Sequence, residues 1–65
     1  MTALHFASDR GFLDIARFLV ANGAEVNAAT ADGLTALDFA TLCDHDDVAA
    51  YLRSVGAVEG VDGAP

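Results

Sequence analysis

The residues of this chain that could do chemistry are two histidines, one cysteine and a run of acids. His5 could serve as a proton carrier or metal ligand, because imidazole titrates near neutrality and coordinates through either ring nitrogen. It has only His45 as a second histidine and no set of carboxylates around it at a ligand spacing. The run Asp44-His45-Asp46-Asp47 offers oxygens of the kind hard cations take, but it lacks the spaced acids and central glycine of a calcium loop. These carboxylates are better placed to open a helix, where exposed amides and the macrodipole favour negative charge, and Asp14 has the same role in an earlier helix. Cys43 becomes a nucleophile only if its surroundings lower its pKa. The expectation is therefore no catalytic residue, no cofactor site and no metal site.

Composition narrows the classes further. The chain has 65 residues and a net charge of −7, with ten acids against three arginines. A chain this short buries only about 60% of the surface its unfolded form exposes, which leaves little free energy for a strained catalytic cleft. An autonomous enzyme is not expected. The scarcity of cations excludes nucleic acid as a partner, since phosphate contacts need clustered Lys and Arg. One cysteine makes no intrachain disulfide, so a reducing, cytoplasmic setting is expected. The most apolar stretch, residues 12–24, is interrupted by Asp14 and Arg17, which argues against a membrane span.

The elements that would position these residues follow from an internal repeat. Thr2-Ala3-Leu4-His5-Phe6-Ala7 returns 33 positions later as Thr35-Ala36-Leu37-Asp38-Phe39-Ala40. The same offset carries Asp14-Ile15-Ala16 onto Asp47-Val48-Ala49, Phe18-Leu19 onto Tyr51-Leu52, and Gly23-Ala24 onto Gly56-Ala57. Within each unit the apolar spacing is helical: Ala3, Leu4, Phe6 and Ala7, then Ile15, Ala16, Phe18, Leu19 and Val20. Two helices per unit are predicted, with Thr2 and Thr35 as N-caps and Gly23 and Gly56 as left-handed C-caps. Residues 25–33, ending in Asp32-Gly33, have turn chemistry and too little periodicity for a helix, so a hairpin-like finger is expected there. The aromatics Phe6, Phe12, Phe18, Phe39 and Tyr51 are expected to pack in the core. Residues 58–65, small and glycine-rich, are expected to form a flexible tail.

These residues resemble ankyrin repeats, a family built from 33-residue units of a turn and two helices. Thr2-Ala3-Leu4-His5-Phe6-Ala7 is similar to the family's Thr-Pro-Leu-His-x-Ala motif, and Gly23-Ala24-Glu25-Val26-Asn27-Ala28 to its Gly-Ala-Asp-Val-Asn-Ala finger. The resemblance implies an all-α fold of two helix-turn-helix units joined by the finger. Residues 1–57 would form two repeats: 1–24, lacking its N-terminal finger, and 25–57, resembling a C-terminal cap. It also implies that His5 braces a turn by hydrogen bonds. The second unit departs from the pattern with Asp38 for the histidine, Asp44 for the glycine seen as Gly11, and Arg53 in the apolar slot of Val20. Asp tolerates a left-handed backbone, and Arg53 makes the outer face more soluble.

The resemblance further implies a protein partner met by the finger tip and the exposed edge of the first helices. The residues at those variable positions are Asp9, Arg10, Ala31, Asp32, Leu34, Leu42 and Cys43. Leu34 and Leu42 are either contact residues or packed, Leu34 under the finger and Leu42 between units. For Cys43, packing within a helix pair is the favoured reading over a reactive, exposed thiol. Fewer than two complete units leave an apolar face around Leu4 and the first helix pair, to be covered by a preceding repeat or domain, or by a second copy in a twofold dimer. The segments Ala7-Ser8-Asp9-Arg10-Gly11, Phe12-Leu13-Asp14-Ile15-Ala16 and Leu42-Cys43-Asp44 are also similar to the paired repeats at the C-terminus of multidomain acyl-CoA-binding proteins. In that setting the lipid chemistry would belong to a separate domain, and this segment would recruit partners, cap the array or dimerise it.

Overall fold

The computed structural model describes residues 1–60 and contains four helices. They are α1 (Ala3–Arg10), α2 (Leu13–Ala21), α3 (Ala36–Leu42) and α4 (Asp46–Ser54), with no strand among the described residues. The helices form two hairpins, α1–α2 and α3–α4, stacked so that α1 packs on α3 and α2 on α4. The all-α architecture of two helix-turn-helix units agrees with the expectation.

Local chemistry explains where each helix begins and ends. Thr2 and Thr35 both sit in extended conformation, and each accepts the N3 amide of its helix on its hydroxyl. The N3 side chains, His5 and Asp38, reach back to the cap amides and complete capping boxes. At the other end all four helices close alike. An amide two residues past the last turn bonds a carbonyl five residues back: Phe12 to Ala7, Ala24 to Leu19, His45 to Ala40 and Ala57 to Leu52, at 2.8–2.9 Å. This is a Schellman closure and requires a left-handed residue just before the donor. Gly11 (φ 76°), Gly23 (93°) and Gly56 (94°) supply it, and so does Asp44 (61°), which thus makes the turn its aligned glycine makes.

The finger is a hairpin in its hydrogen bonds. Gly33 N–H donates to the Thr30 carbonyl at 2.8 Å and Thr30 N–H to the Leu34 carbonyl at 2.9 Å, the pairing of a three-residue loop with glycine in the left-handed position.

The core lies between the hairpins. Leu4, Ala7, Ala36, Leu37 and Ala40 are buried from α1 and α3, and Ala16, Val48, Ala49 and Leu52 from α2 and α4. Alanines at the crossings let the backbones approach, while Leu4 and Leu52 are the largest fully buried side chains. Each buried leucine contributes about 1.5–3 kcal/mol.

Two packing expectations need correction. Leu4 is not part of an uncovered face; it is buried against the core. The open flank belongs instead to Phe6 (48% exposed), Phe12 (43%), Ile15 (46%) and Phe18 (66%), three of which were expected inside. The cause is angular: at 3.6 residues per turn, Leu4 and Phe6 point about 200° apart, so they cannot share one face. Phe39 and Tyr51 are half-buried, as packing residues should be.

The segment expected to be a loose tail starts at Val58, yet residues 58–60 are tied down. Val58 N–H donates to Asn27 Oδ1 at 2.8 Å, its carbonyl accepts the Thr35 hydroxyl at 2.8 Å, and Gly60 N–H donates to Asp38 Oδ2 at 2.8 Å. The rest of that segment, 61–65, lies outside the described residues.

Candidate interaction surface

Each unit holds its neighbour through a histidine. His5 is buried, and its Nε2 lies 3.0 Å from the Leu34 carbonyl, which can only accept. Nε2 therefore carries the proton, and Nδ1 accepts from Thr2 N–H at 3.0 Å and from the Thr2 hydroxyl at 2.8 Å. One ring thus caps α1 and pins the base of the finger. His5 braces a turn, as the resemblance implied.

His45 does the corresponding work at the opposite end. Its Nε2 donates to the Asp9 carbonyl at 3.0 Å, joining the α3–α4 turn to the end of α1. Its ring lies so close to Gly11 that a Cβ there would meet it at 2.5–2.9 Å. Sequence reasoning gave His45 no structural role, although the position it shares with Phe12 is one where ankyrin repeats often carry a histidine. The signal available was the pairing of a glycine in one turn with a ring in the next.

The seven residues expected to meet a partner fall into two groups. Ala31 and Asp32 are exposed at the hairpin tip. Leu34 is half-buried, and both its backbone groups are engaged: the carbonyl by His5 and Thr30, the amide by the Thr30 hydroxyl at 3.2 Å. Asp9, Arg10, Leu42 and Cys43 lie at the far ends of α1 and α3, a helix length of about 12 Å away. Leu42 is 69% exposed and does not pack between units. Cys43 is also exposed, not packed within the helix pair, and its thiol donates to Asp9 Oδ1 at 3.3 Å. That hydrogen bond, slight desolvation and the charges of Asp9 and Asp44 raise the thiol pKa, the opposite of what a reactive nucleophile needs. Arg10 is exposed, with its guanidinium 5.2 Å from the centroid of the Phe6 ring.

The acidic run sits as its helix requires: Asp44 in the turn, Asp46 and Asp47 in the first turn of α4. No cluster of three or more metal-ligating side chains forms among the described residues. No helix there is long and apolar enough to cross a membrane. Beside the α1–α2 turn lies a shallow, open depression of about 380 Å³, lined by Gly11, Phe12, Leu13, Asp14 and Ile15.

Comparison with known proteins agrees with this geometry. Residues 1–61 match the family described as ankyrin repeats (3 copies). The chain is 42% identical over 53 residues to alpha-latroinsectotoxin-Lt1a of Latrodectus tredecimguttatus, covering 82% of this chain and 4% of the toxin. It is 39% identical over 61 residues to an ankyrin and IPT/TIG repeat-containing protein of Schizosaccharomyces pombe, covering 94% of this chain and 5% of that protein. Its fold superposes on the human ASB11 ankyrin repeat domain with a TM-score of 0.87 at 33% identity, over 89% of this chain and 26% of that one. The chain thus spans a small part of each protein it resembles.

Proposed function

Because the chain belongs to the ankyrin-repeat family, we propose that it is a non-catalytic module that binds a protein partner through the hairpin tip and the outer ends of α1 and α3. Ankyrin repeats serve generally as protein-interaction modules, and the observation that carries the reading to this surface is Leu42. A large apolar side chain stands 69% exposed at the end of α3, next in the chain to Cys43, whose thiol bonds Asp9. Apolar side chains rimmed by polar ones are a recurrent mark of contact surfaces. Asp32 and Ala31 at the tip supply a second point of contact about one helix length away, which suits an extended partner. On this reading no acyl-CoA contact falls on these residues; alongside a lipid-carrier domain the segment would act by recruiting partners. A lone free thiol is compatible with work in a reducing compartment.

Affinity capture with matched variants tests the proposal. Leu42→Asp and Asp32→Arg are expected to lose a partner that Arg17→Gln, on the outer helix α2, retains. Equal retention by all three would remove this surface from consideration.

A further inference from the structure

The end of α2 holds a pair of residues that can react with each other. Asn22 closes the helix and is followed by Gly23, whose main-chain nitrogen can attack the Asn22 side-chain amide. In that reaction the Gly23 nitrogen gives up its proton and bonds to Asn22 Cγ, while Nδ2 takes up a proton and leaves as ammonia, so that a five-membered imide ring results. Water then opens the ring. Hydrolysis at Cγ gives aspartate with the main chain unaltered, and hydrolysis at the main-chain carbonyl gives isoaspartate, whose backbone runs through Cγ. A glycine favours ring closure because it has no side chain to crowd its nitrogen. Nothing else crowds this one: among the described residues, chain neighbours aside, no atom lies within 4 Å of where a Gly23 Cβ would stand. Asn22 itself is exposed.

The fold holds the reaction back at three points, all in the last turn of α2. Asn22 has ψ 17°, so its own nitrogen nearly eclipses that of Gly23, whereas ring closure needs Cβ in that place. Gly23 N–H donates to the Val20 carbonyl at 3.1 Å, and Asn22 Nδ2 donates to the Phe18 carbonyl at 2.8 Å. Exposed bonds at a helix end are the ones a folded chain opens at least cost. Related positions each lack a requirement. Val55-Gly56 makes the same turn without a side-chain amide. Asn27 is followed by Ala28, and both ends of its amide are held, Nδ2 by the Gly56 carbonyl at 3.3 Å and Oδ1 by the Val58 amide at 2.8 Å.

We infer that Asn22 is a site of spontaneous deamidation, gated by fraying of the last turn of α2, and that its product loosens the junction between α2 and the finger. A carboxylate cannot donate to the Phe18 carbonyl. It also puts negative charge at the C-terminal end of a helix that has no basic residue in its last turn. Isoaspartate adds a main-chain carbon just ahead of Gly23 and so displaces the Ala24 amide from the Leu19 carbonyl, now 2.9 Å away.

Ageing of the full chain in mildly alkaline buffer, followed by proteolysis and mass spectrometry, tests the inference, because exchange of an amide for an acid changes the mass of the peptide that carries it. The chain has no glutamine and no asparagine besides Asn22 and Asn27, and Asp32-Gly33, which can form the same ring, returns to an acid of unchanged mass. In native buffer, acid should gather at Asn22 at least ~10-fold faster than at Asn27, yet at least ~10-fold slower than at Asn22 of the urea-unfolded chain. The native rate should stay level through low urea, as opening of a single turn exposes little surface. Asn22→Asp, which carries one product from the start, should unfold at lower urea than the parent chain. Equal rates at Asn22 and Asn27 would overturn the assignment of the site, and equal rates in folded and unfolded chain would overturn the gate. A native rate that climbs steeply from the first addition of urea would overturn it in favour of whole-chain unfolding. An unchanged midpoint for Asn22→Asp would overturn the loosening.

Discussion

Asp9 is one of the residues on which the two units meet, and it works through both of its oxygen-bearing groups. Its carbonyl takes the His45 N–H and its carboxylate takes the Cys43 thiol. Because the carboxylate raises the thiol pKa, less thiolate is present at a given pH than on a free cysteine. Alkylation of Cys43 by iodoacetamide should accordingly be slower than that of an unstructured peptide thiol near pH 8, with its rate inflection displaced upward. Asp9→Ala removes the bond and the nearest charge together, so the inflection should move down and the rate should rise. A second residue-scale test concerns Gly11. Adding a methyl group there meets both an unfavourable left-handed backbone and the His45 ring, for an expected cost of about 1–3 kcal/mol in urea unfolding. In a His45→Ala background the steric part disappears and the cost should fall. At this scale the sequence revealed His5, whose motif is intact, and left His45 without a role, because its partners, the Asp9 carbonyl and Gly11, belong to the other unit.

Among the elements, the helix boundaries were the most legible feature, since caps are local chemistry. Thr2, Thr35, Gly23 and Gly56 were all identified from residue type and position, and Asp44 makes the left-handed turn expected of it. Thr35 reaches further than Thr2: its hydroxyl accepts the Asp38 amide and donates to the Val58 carbonyl, 23 residues on, where that of Thr2 donates to the His5 ring of its own cap. Thr35→Ala should therefore cost about 1–2 kcal/mol, and Thr2→Ala about 1 kcal/mol, as read from denaturation midpoints. The facing of the aromatics was less legible. In short helices with apolar residues on more than half the circumference, spacing alone does not say which side meets a neighbour. Phe6 and Phe18 are exposed because the second hairpin packs on the other side of α1 and α2. The finger was legible as a turn from Asp32-Gly33, whereas the side-chain bonds of Thr30 that close it were not.

For the molecule as a whole, the margin is narrow. A chain of this length holds about 3–10 kcal/mol of folding free energy. Truncating the fully buried Leu52 to alanine costs about 2–5 kcal/mol, so Leu52→Ala should lose most of its helical signal at 25 °C and recover it in an osmolyte such as sucrose. The stacking of two units was readable from the 33-residue offset. The docking of residues 58–60 was not, because it depends on a replacement whose effect is a matter of bond polarity. His5 donates and so captures a carbonyl of the segment that follows its unit; Asp38 accepts through Oδ2, and it captures the Gly60 amide. Gly60 also passes so near the Gly33 carbonyl that any side chain there would collide with it. For anyone lengthening this scaffold, a further 33-residue module grafted after Ala57 would arrive with its carbonyl facing an oxygen. Such an extension should fold in register only when Asp38 is first exchanged for histidine.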